Sequence, residues 1–363
     1  MKILSIGMAL LFLSGCTWSQ KETESPPASH KNHSGRETAH VMTTEPETLI
    51  EKLDIPWSIT KHHNVMYISQ RKGPIVKFDE ETRAVDIQKI KLAKSLHLEG
   101  EGGFLGFVLS PDFPDKPQAF AYYTFKEGNT IYNRVVLMEQ TGNQWVEKKE
   151  LISNIPGAKL HNGGRMKIGP DGKLYVTTGD ALSPDSAQDR SSLGGKILRM
   201  NLDGSIPNDN PFPQSYIYSY GHRNPQGLAW DEQGTLYSSE HGQSAHDEIN
   251  KIEPGQNYGW PVIQGDKTAK GMKTPLFHSG DVTWAPAGMD YHQGTLYVAA
   301  LAGSRIMAFD LQKKTIETVF DNGGRMRDSF IDKDQLYFIS NNRDGRGTPA
   351  ENDDRLYRLP LKN

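Results

Sequence analysis

The chain has 363 residues, 36% of them hydrophobic and 23% charged, with a net charge of −3. That composition suits a soluble protein with a sizeable core, and it offers neither a basic face for nucleic acid nor an acidic tail. The 35 glycines and 21 prolines imply many turns, and hence β structure.

At the N-terminus, Lys2 is followed by an apolar run from Ile3 to Leu13. The run is too short to span a bilayer, so residues 1–15 read as a signal segment. Leu13-Ser14-Gly15-Cys16 resembles a bacterial lipobox. By that resemblance Cys16 is lipidated, becomes the mature N-terminus and anchors the protein to the membrane on its extracytoplasmic side. Cys16 is the only cysteine, so the mature chain has no disulfide, no further thiol nucleophile and no cysteine metal site. Residues 16–45 are polar, with Trp18 their only aromatic. They cannot bury enough apolar surface to fold and read as a flexible tether, with His30, His33 and His40 as solvated residues within it and a weak metal-binding tract as the alternative.

From residue 46 onward one pattern recurs: a turn, then a short apolar strand bearing tyrosine. The instances are HHNVMYIS (62–69), KPQAFAYYTF (116–125), DGKLYVTT (171–178), QGTLYSSE (233–240), QGTLYVAA (293–300) and KDQLYFIS (333–340). Their marker tyrosines are Tyr67, Tyr122, Tyr175, Tyr237, Tyr297 and Tyr337. The mean interval is close to the ~40–50 residues of a four-stranded propeller blade, with some long loops. Helical periodicity is nearly absent. Residues 46–363 are therefore expected to be one all-β domain, a six-bladed β-propeller of four-stranded antiparallel blades, with a pair of β-sandwiches as the alternative. The segment LIEKLDIPWSI (49–59) fits either the strand that closes the last blade or a strand of the first. Blades converge on a central channel, so functional residues are expected on loops from several blades.

Five loops carry chemistry. Glu99-Gly100-Glu101-Gly102-Gly103 sets glycines among acids, where a flat ligand could approach the backbone. In HNGGRMKIGPDGKLYVTTGD (161–180), Met166–Ile168 and Leu174–Thr178 read as strands joined by a turn at Pro170-Asp171-Gly172. An antiparallel hairpin brings His161 and Asp180 to the same end, where a carboxylate sets the tautomer of the imidazole and strengthens it as a base. The alternative is a loop histidine that merely lies near a loop aspartate. Tyr220–Gly227 packs Arg223, Asn224 and Gln226 into one tight loop. Ser239-Glu240-His241-Gly242-Gln243 follows a strand and precedes Asp247-Glu248. In Gly324-Arg325-Met326-Arg327-Asp328, a period of two puts both arginines on one face, suited to carboxylates.

HNGGRMKIGPDGKLYVTTGD, YGHRNPQGLAW (220–230), DEINKIEPGQNYGWP (247–261) and GRMRD (324–328) together resemble the soluble quinoprotein glucose/sorbosone dehydrogenases. The aldose sugar dehydrogenase branch is the nearer likeness. The resemblance runs from Ile55-Pro56-Trp57-Ser58 to the C-terminus. It implies a six-bladed propeller that binds pyrroloquinoline quinone (PQQ) and calcium and oxidises aldose sugars at the anomeric carbon to lactones. It implies His161 as general base, Asp180 as its orienting partner, and Arg223 with Asn224 as contacts to the quinone. It places Arg325 and Arg327 near the cofactor's carboxylates and the backbone carbonyls of Gly242 and Gln243 on the cofactor's calcium. Glu248 and Tyr258 resemble a second, structural calcium site. Glu101 stands where the family often has a glutamine that bonds the quinone, Gln243 where proline is frequent, and Ala302 where lysine is frequent.

The activity expected is thus PQQ- and calcium-dependent oxidation of an aldose. Electrons would pass to an external acceptor, a quinone or redox protein, because no CxxCH haem motif is present. A surface-tethered propeller that binds a glycan or protein partner without catalysis is the alternative. A calcium-dependent lactonase is a third class, poorly matched by the arginine-rich loops.

Overall fold

The computed structural model describes residues 36–38 and 45–361. The signal segment, Cys16 and most of the tether lie outside the described residues. Twenty-five strands and one 3-10 turn, Pro184–Ala187, make up the regular structure among those described. Two short strands come first, β1 (Arg36–Thr38) and β2 (Glu47–Ile50).

Six antiparallel four-strand meanders then follow in order. The first holds β3 (Pro56–His62), β4 (Val65–Gln70), β5 (Ile75–Asp79) and β6 (Val85–Lys91). The second holds β7 (Phe104–Leu109), β8 (Gln118–Glu127), β9 (Thr130–Thr141) and β10 (Gln144–Pro156). The third holds β11 (Met166–Ile168), β12 (Leu174–Thr178), β13 (Lys196–Met200) and β14 (Ile217–Tyr220). The fourth holds β15 (Pro225–Trp230), β16 (Leu236–Glu240), β17 (Glu248–Ile252) and β18 (Phe277–His278). The fifth holds β19 (Pro286–His292), β20 (Thr295–Ala300), β21 (Arg305–Asp310) and β22 (Thr315–Phe320). The last holds β23 (Met326–Asp332), β24 (Gln335–Ser340) and β25 (Leu356–Pro360), with β2 as its fourth strand.

Each tyrosine-bearing repeat is the second strand of its meander. The first strands of successive meanders pack side by side, β3 against β7, then β11, β15, β19 and β23, and β23 returns to β3. Second strands such as β12 are buried along their whole length. A meander has neighbours on both faces, so these strands read as near-continuous apolar runs rather than strict alternation.

The segment 49–59 serves both of the roles open to it. β2 pairs with β25 and completes the last meander, while β3 begins the first. Leu49 and Ile50 are buried beside Ile59, Val76, Ile339 and Leu356, which fastens the two ends of the chain in one apolar cluster. Within the stretch read as a tether, β1 pairs in parallel with β22. An outer strand presents unpaired backbone groups that invite such an addition. The outer strands β6 and β10 also pair with each other in parallel, which joins the first two meanders into one eight-stranded sheet.

Because strands alternate in direction, the loop before each first strand and the loop after each second strand emerge at the same end. Every chemically marked loop of the sequence lies at one of these two positions.

Candidate active site

The hairpin from His161 to Asp180 forms as its residues predict. β11 and β12 pair in register, with Gly172 (φ +72°) in the turn, where its N–H reaches the Gly169 carbonyl at 2.9 Å. Asp180 Oδ1 lies 2.7 Å from His161 Nδ1. The other carboxylate oxygen, Oδ2, accepts the indole N–H of Trp260 at 2.8 Å. The Leu182 backbone N–H also bonds Oδ1 at 2.9 Å. An ionised carboxylate only accepts, so Nδ1 donates and the lone pair of the neutral ring sits on Nε2. His161 itself has φ +59°, a left-handed conformation that costs a non-glycine residue about 1–3 kcal/mol. Its N–H is held by Glu101 Oε2 at 2.9 Å.

Beside this pair is a cleft of about 450 Å³, counted to its open mouth. Trp57, Glu101, Asn162, Gly163, His241 and Leu301 line it, together with the guanidiniums of Arg71, Arg327 and Arg346. Burial pushes Arg327 down to about 9 although Asp344 and Glu101 work the other way. Arg327 Nη1 bonds Gln226 Oε1 at 2.7 Å. With the Asn341 amide oriented so that its oxygen faces the guanidinium, Nε and Nη2 reach Oδ1 at 2.8 and 3.1 Å. For Glu101 burial is the largest influence and pushes its carboxyl up. His241, Arg346 and the His161 N–H outweigh it and hold the group below the usual carboxylate range. Glu101 is therefore an ionised carboxylate paired with Arg346 at 2.9 Å.

Arg223 and Asn224 enter from the loop before β15. Asn224 Oδ1 accepts the Gly163 N–H at 3.0 Å, which ties the two loops together. Arg223 lies over the Trp260 ring, 5.4 Å from its centre, and Nη1 bonds the His241 carbonyl at 3.2 Å. Three buried polar atoms here have no partner: Arg223 Nε, Asn224 Nδ2 and His241 Nε2. Such atoms cost about 1–3 kcal/mol each when nothing meets them. Burial pushes the His241 imidazole down, although Asp247 and Glu101 work the other way.

The arginines of Gly324–Asp328 part company. A bulge between Met326 and Asp328 breaks the alternation of β23. Arg325, just before the strand, is bound by Asp344 through Nε at 3.2 Å and Nη2 at 2.9 Å, and by the Leu301 carbonyl at 3.3 Å. Only Arg327 of the two lines the cleft. Asp328 faces the other end of the ring, where it pairs with Arg165 at 2.9 Å. Arg165 in turn stacks 4.3 Å over Trp57 and so backs the cleft floor.

Gly242, Glu248 and Tyr258 line a second, narrower pocket with Arg223, Glu240, His241, Trp260 and Gln264. Burial, with Glu240 nearby, pushes Glu248 up to about 8. Gln264 Oε1 is buried without a partner. The Tyr258 hydroxyl is committed to backbone, accepting from Glu253 N–H and donating to the Lys251 carbonyl. Gln243 follows Gly242 in the loop that Asp247 holds through the Gly242 N–H at 2.9 Å. Among the described residues no cluster of three or more His, Cys, Asp or Glu is placed to hold a metal, so any cation site here must draw on carbonyl oxygens.

Arg71, His241, Trp260, Asp344 and Arg346 were not singled out as site residues by sequence. Arg71, His241 and the Arg343–Arg346 segment share a signal, for each lies in the loop that follows a second strand, as Asp180 does.

The family model for glucose/sorbosone dehydrogenases matches residues 53–357. The chain belongs to the glucose/sorbosone dehydrogenase family, and it shares the β-propeller architecture of its relatives. It is 39% identical over 203 residues to quinoprotein glucose dehydrogenase B of Acinetobacter calcoaceticus, a match covering 48% of this chain and 42% of that relative. It is thus aligned with less than half of that protein's length. It is 27% identical to an aldose sugar dehydrogenase of Escherichia coli, covering 84% of this chain and 91% of that one. The PQQ-bound aldose sugar dehydrogenase of Streptomyces coelicolor superposes with a TM-score of 0.80 at 36% identity, covering 86% of this chain and 96% of that one.

Proposed function

We propose that the protein is a six-bladed β-propeller that oxidises an aldose at its anomeric carbon to the lactone, with PQQ and calcium in the cleft. The chain is an oxidoreductase of the quinoprotein aldose/glucose dehydrogenase kind, acting on a CH–OH donor. The observation that carries the reading is the His161–Asp180 pair set beside a cationic cleft, with the unpartnered buried donors Arg223 Nε and Asn224 Nδ2 on the adjoining loop that bonds Gly163 of the cleft wall. The closed ring of first strands and the PQQ-bound relative support it.

The cleft's chemistry fits a planar polycarboxylate. Arg327 and Arg71 supply positive charge that no carboxylate pairs directly, and the neighbouring loop of Arg223 and Asn224 carries unpartnered donors. Oxygen donors for a hard cation are present in the narrower pocket, in Glu248, Gln264 Oε1 and backbone carbonyls, with the Glu248 carboxyl pushed up by burial and by Glu240. We place the cofactor's calcium on the carbonyls of Gly242 and Gln243, and a structural calcium at Glu248 and Tyr258.

When bound, PQQ supplies the two-electron acceptor for the hydride leaving C1. The protein's own residues handle the proton. His161 takes it from the anomeric hydroxyl at Nε2, as the C1–H pair departs and the C1–O bond gains double-bond character. Asp180 holds the ring in that tautomer and stabilises the imidazolium that forms. Trp260 fixes the aspartate in turn. Arg223 adds positive charge where negative charge builds during transfer. The electrons leave to an external acceptor.

The leader pattern places the protein outside the cytoplasm, tethered through a lipid on Cys16. Mass spectrometry of the membrane-extracted protein tests this, with an unmodified Cys16 as the contrary result. The function is tested by adding PQQ and calcium to purified apo-protein and following dye reduction with several aldoses. Rates that require both additions support the reading. Lactone hydrolysis in the absence of quinone, or glycan binding without any redox turnover, would replace it.

A further inference from the structure

Arg346 is an arginine with most of its donors uncommitted, set at the mouth of the cleft. It lies in the loop between β24 and β25, and its Nη1 bonds Glu101 Oε1 at 2.9 Å across 245 positions of sequence. Its side chain is 49% exposed, and Glu101 is its only guanidinium partner among the described residues. The other arginines nearby are spent differently. Arg325 uses Nε, Nη1 and Nη2 on Asp344 and the Leu301 carbonyl. Arg71 gives Nε to the Gly102 carbonyl and Nη2 to the carbonyls of Gly100 and Gly102. Arg327 is buried against Gln226 and Asn341. A guanidinium has five N–H donors in a fixed fork, so pairing through Nη1 leaves Arg346 a free edge.

We propose that Arg346 is a ligand-binding residue of the cleft, holding an anionic group of the bound planar polycarboxylate while Glu101 sets its position and competes for it. This rests on the reading of the cleft as a PQQ site. Glu101 then has two opposed effects. It holds the His161 N–H, which favours the catalytic geometry, and it places a negative charge beside the anionic ligand and shares its arginine. Glutamine at this position keeps an acceptor for the His161 N–H while releasing Arg346 and removing the like charge.

The test is a PQQ titration of the apo-protein with calcium, followed by quenching of tryptophan fluorescence, in wild type, Arg346→Ala, Arg346→Lys, Glu101→Gln and Arg327→Ala. Arg346→Ala is expected to weaken binding about tenfold or more, the loss of a hydrogen-bonded charge. Arg346→Lys is expected to recover part of that loss, as a point charge without the fork. Glu101→Gln is expected to bind at least as tightly as wild type. Equal melting temperatures of the apo-proteins check the fold. Were Arg346 merely a strut for Glu101, Glu101→Gln would weaken binding as Arg346→Ala does, and that result overturns the inference. So does wild-type affinity in Arg346→Ala alongside weakened Arg327→Ala, which leaves the function intact. Failure of the wild type to bind PQQ overturns the function itself.

Discussion

Trp260 donates its indole N–H to Asp180 Oδ2 while His161 occupies Oδ1, so one buried carboxylate is fixed from two sides. The tryptophan comes from the loop after β17, 80 positions away in sequence. This arrangement leaves the aspartate one orientation, and the imidazole inherits it. Asp180→Asn is expected to lower kcat by about 10²- to 10⁴-fold, the range of a misplaced general base. Trp260→Phe keeps the ring but removes one hydrogen bond to a charged group, for a loss of about ten- to a hundredfold. Steady-state kinetics with KM reported separately checks both, and an unchanged kcat in Trp260→Phe would remove the tryptophan from the account.

Gly179 sits where the loops bearing His161 and Asn224 cross. A Cβ there would lie 2.0 Å from the His161 carbonyl oxygen and 3.0 Å from Asn224 Oδ1. Backbone cannot yield as a flexible side chain does, so Gly179→Ala is expected to destabilise the protein by about 1–3 kcal/mol and to displace His161. Thermal unfolding and activity should fall together.

Lys196 is fully buried, and its ammonium donates to the carbonyls of Ser186, Ala187 and Gly194. It clamps the loop that leaves Asp180. Burial pushes it down to about 7 although Asp189 works the other way. Between pH 7 and about 10.5 the unfolded chain therefore binds more protons at this lysine than the folded chain does. The burial cost is complete below pH 7 and fades as pH rises through that window, so this group alone makes stability increase there. Lys196→Met is expected to flatten that slope, measured as melting temperature against pH relative to wild type. An unchanged slope would mean that the lysine keeps its proton throughout.

Among the described residues Glu248 accepts only from the Gly265 N–H and the Asn250 amide, and Gln264 Oε1 is buried without a partner beside it. Calcium at a hundred times its dissociation constant is expected to raise stability by about 2.7 kcal/mol. Glu248→Ala is expected to lose that part of the gain. Calorimetric unfolding with calcium and with chelator measures it, and equal responses in the two proteins would take Glu248 out of the metal site.

Much of the fold was legible because its second strands are buried on both faces and so repeat one apolar, tyrosine-bearing phrase. The hairpin of His161 and Asp180 was legible because Pro170-Asp171-Gly172 fixes its register. Outer strands such as β6 carry exposed Val85 and Ile87, and their sequence does not announce the parallel pairing with β10. Arg346 and Arg71 were not legible as cleft residues because their partners lie on other meanders, and the loops that carry them look like ordinary charged turns. The divergence of Arg325 and Arg327 depends on a bulge and on Asp344, neither of which a strict period of two contains.

The proposed reaction turns on His161 removing the hydroxyl proton as hydride leaves C1. Its most direct measurement is stopped-flow reduction of the PQQ- and calcium-loaded protein by an aldose carrying deuterium at C1, in wild type and His161→Ala. Deuterium is expected to slow reduction in the wild type, and His161→Ala is expected to bind cofactor yet be reduced at least a hundredfold more slowly, by the usual contribution of a general base. Equal reduction rates in the two proteins, or a wild-type rate indifferent to deuterium, would contradict it.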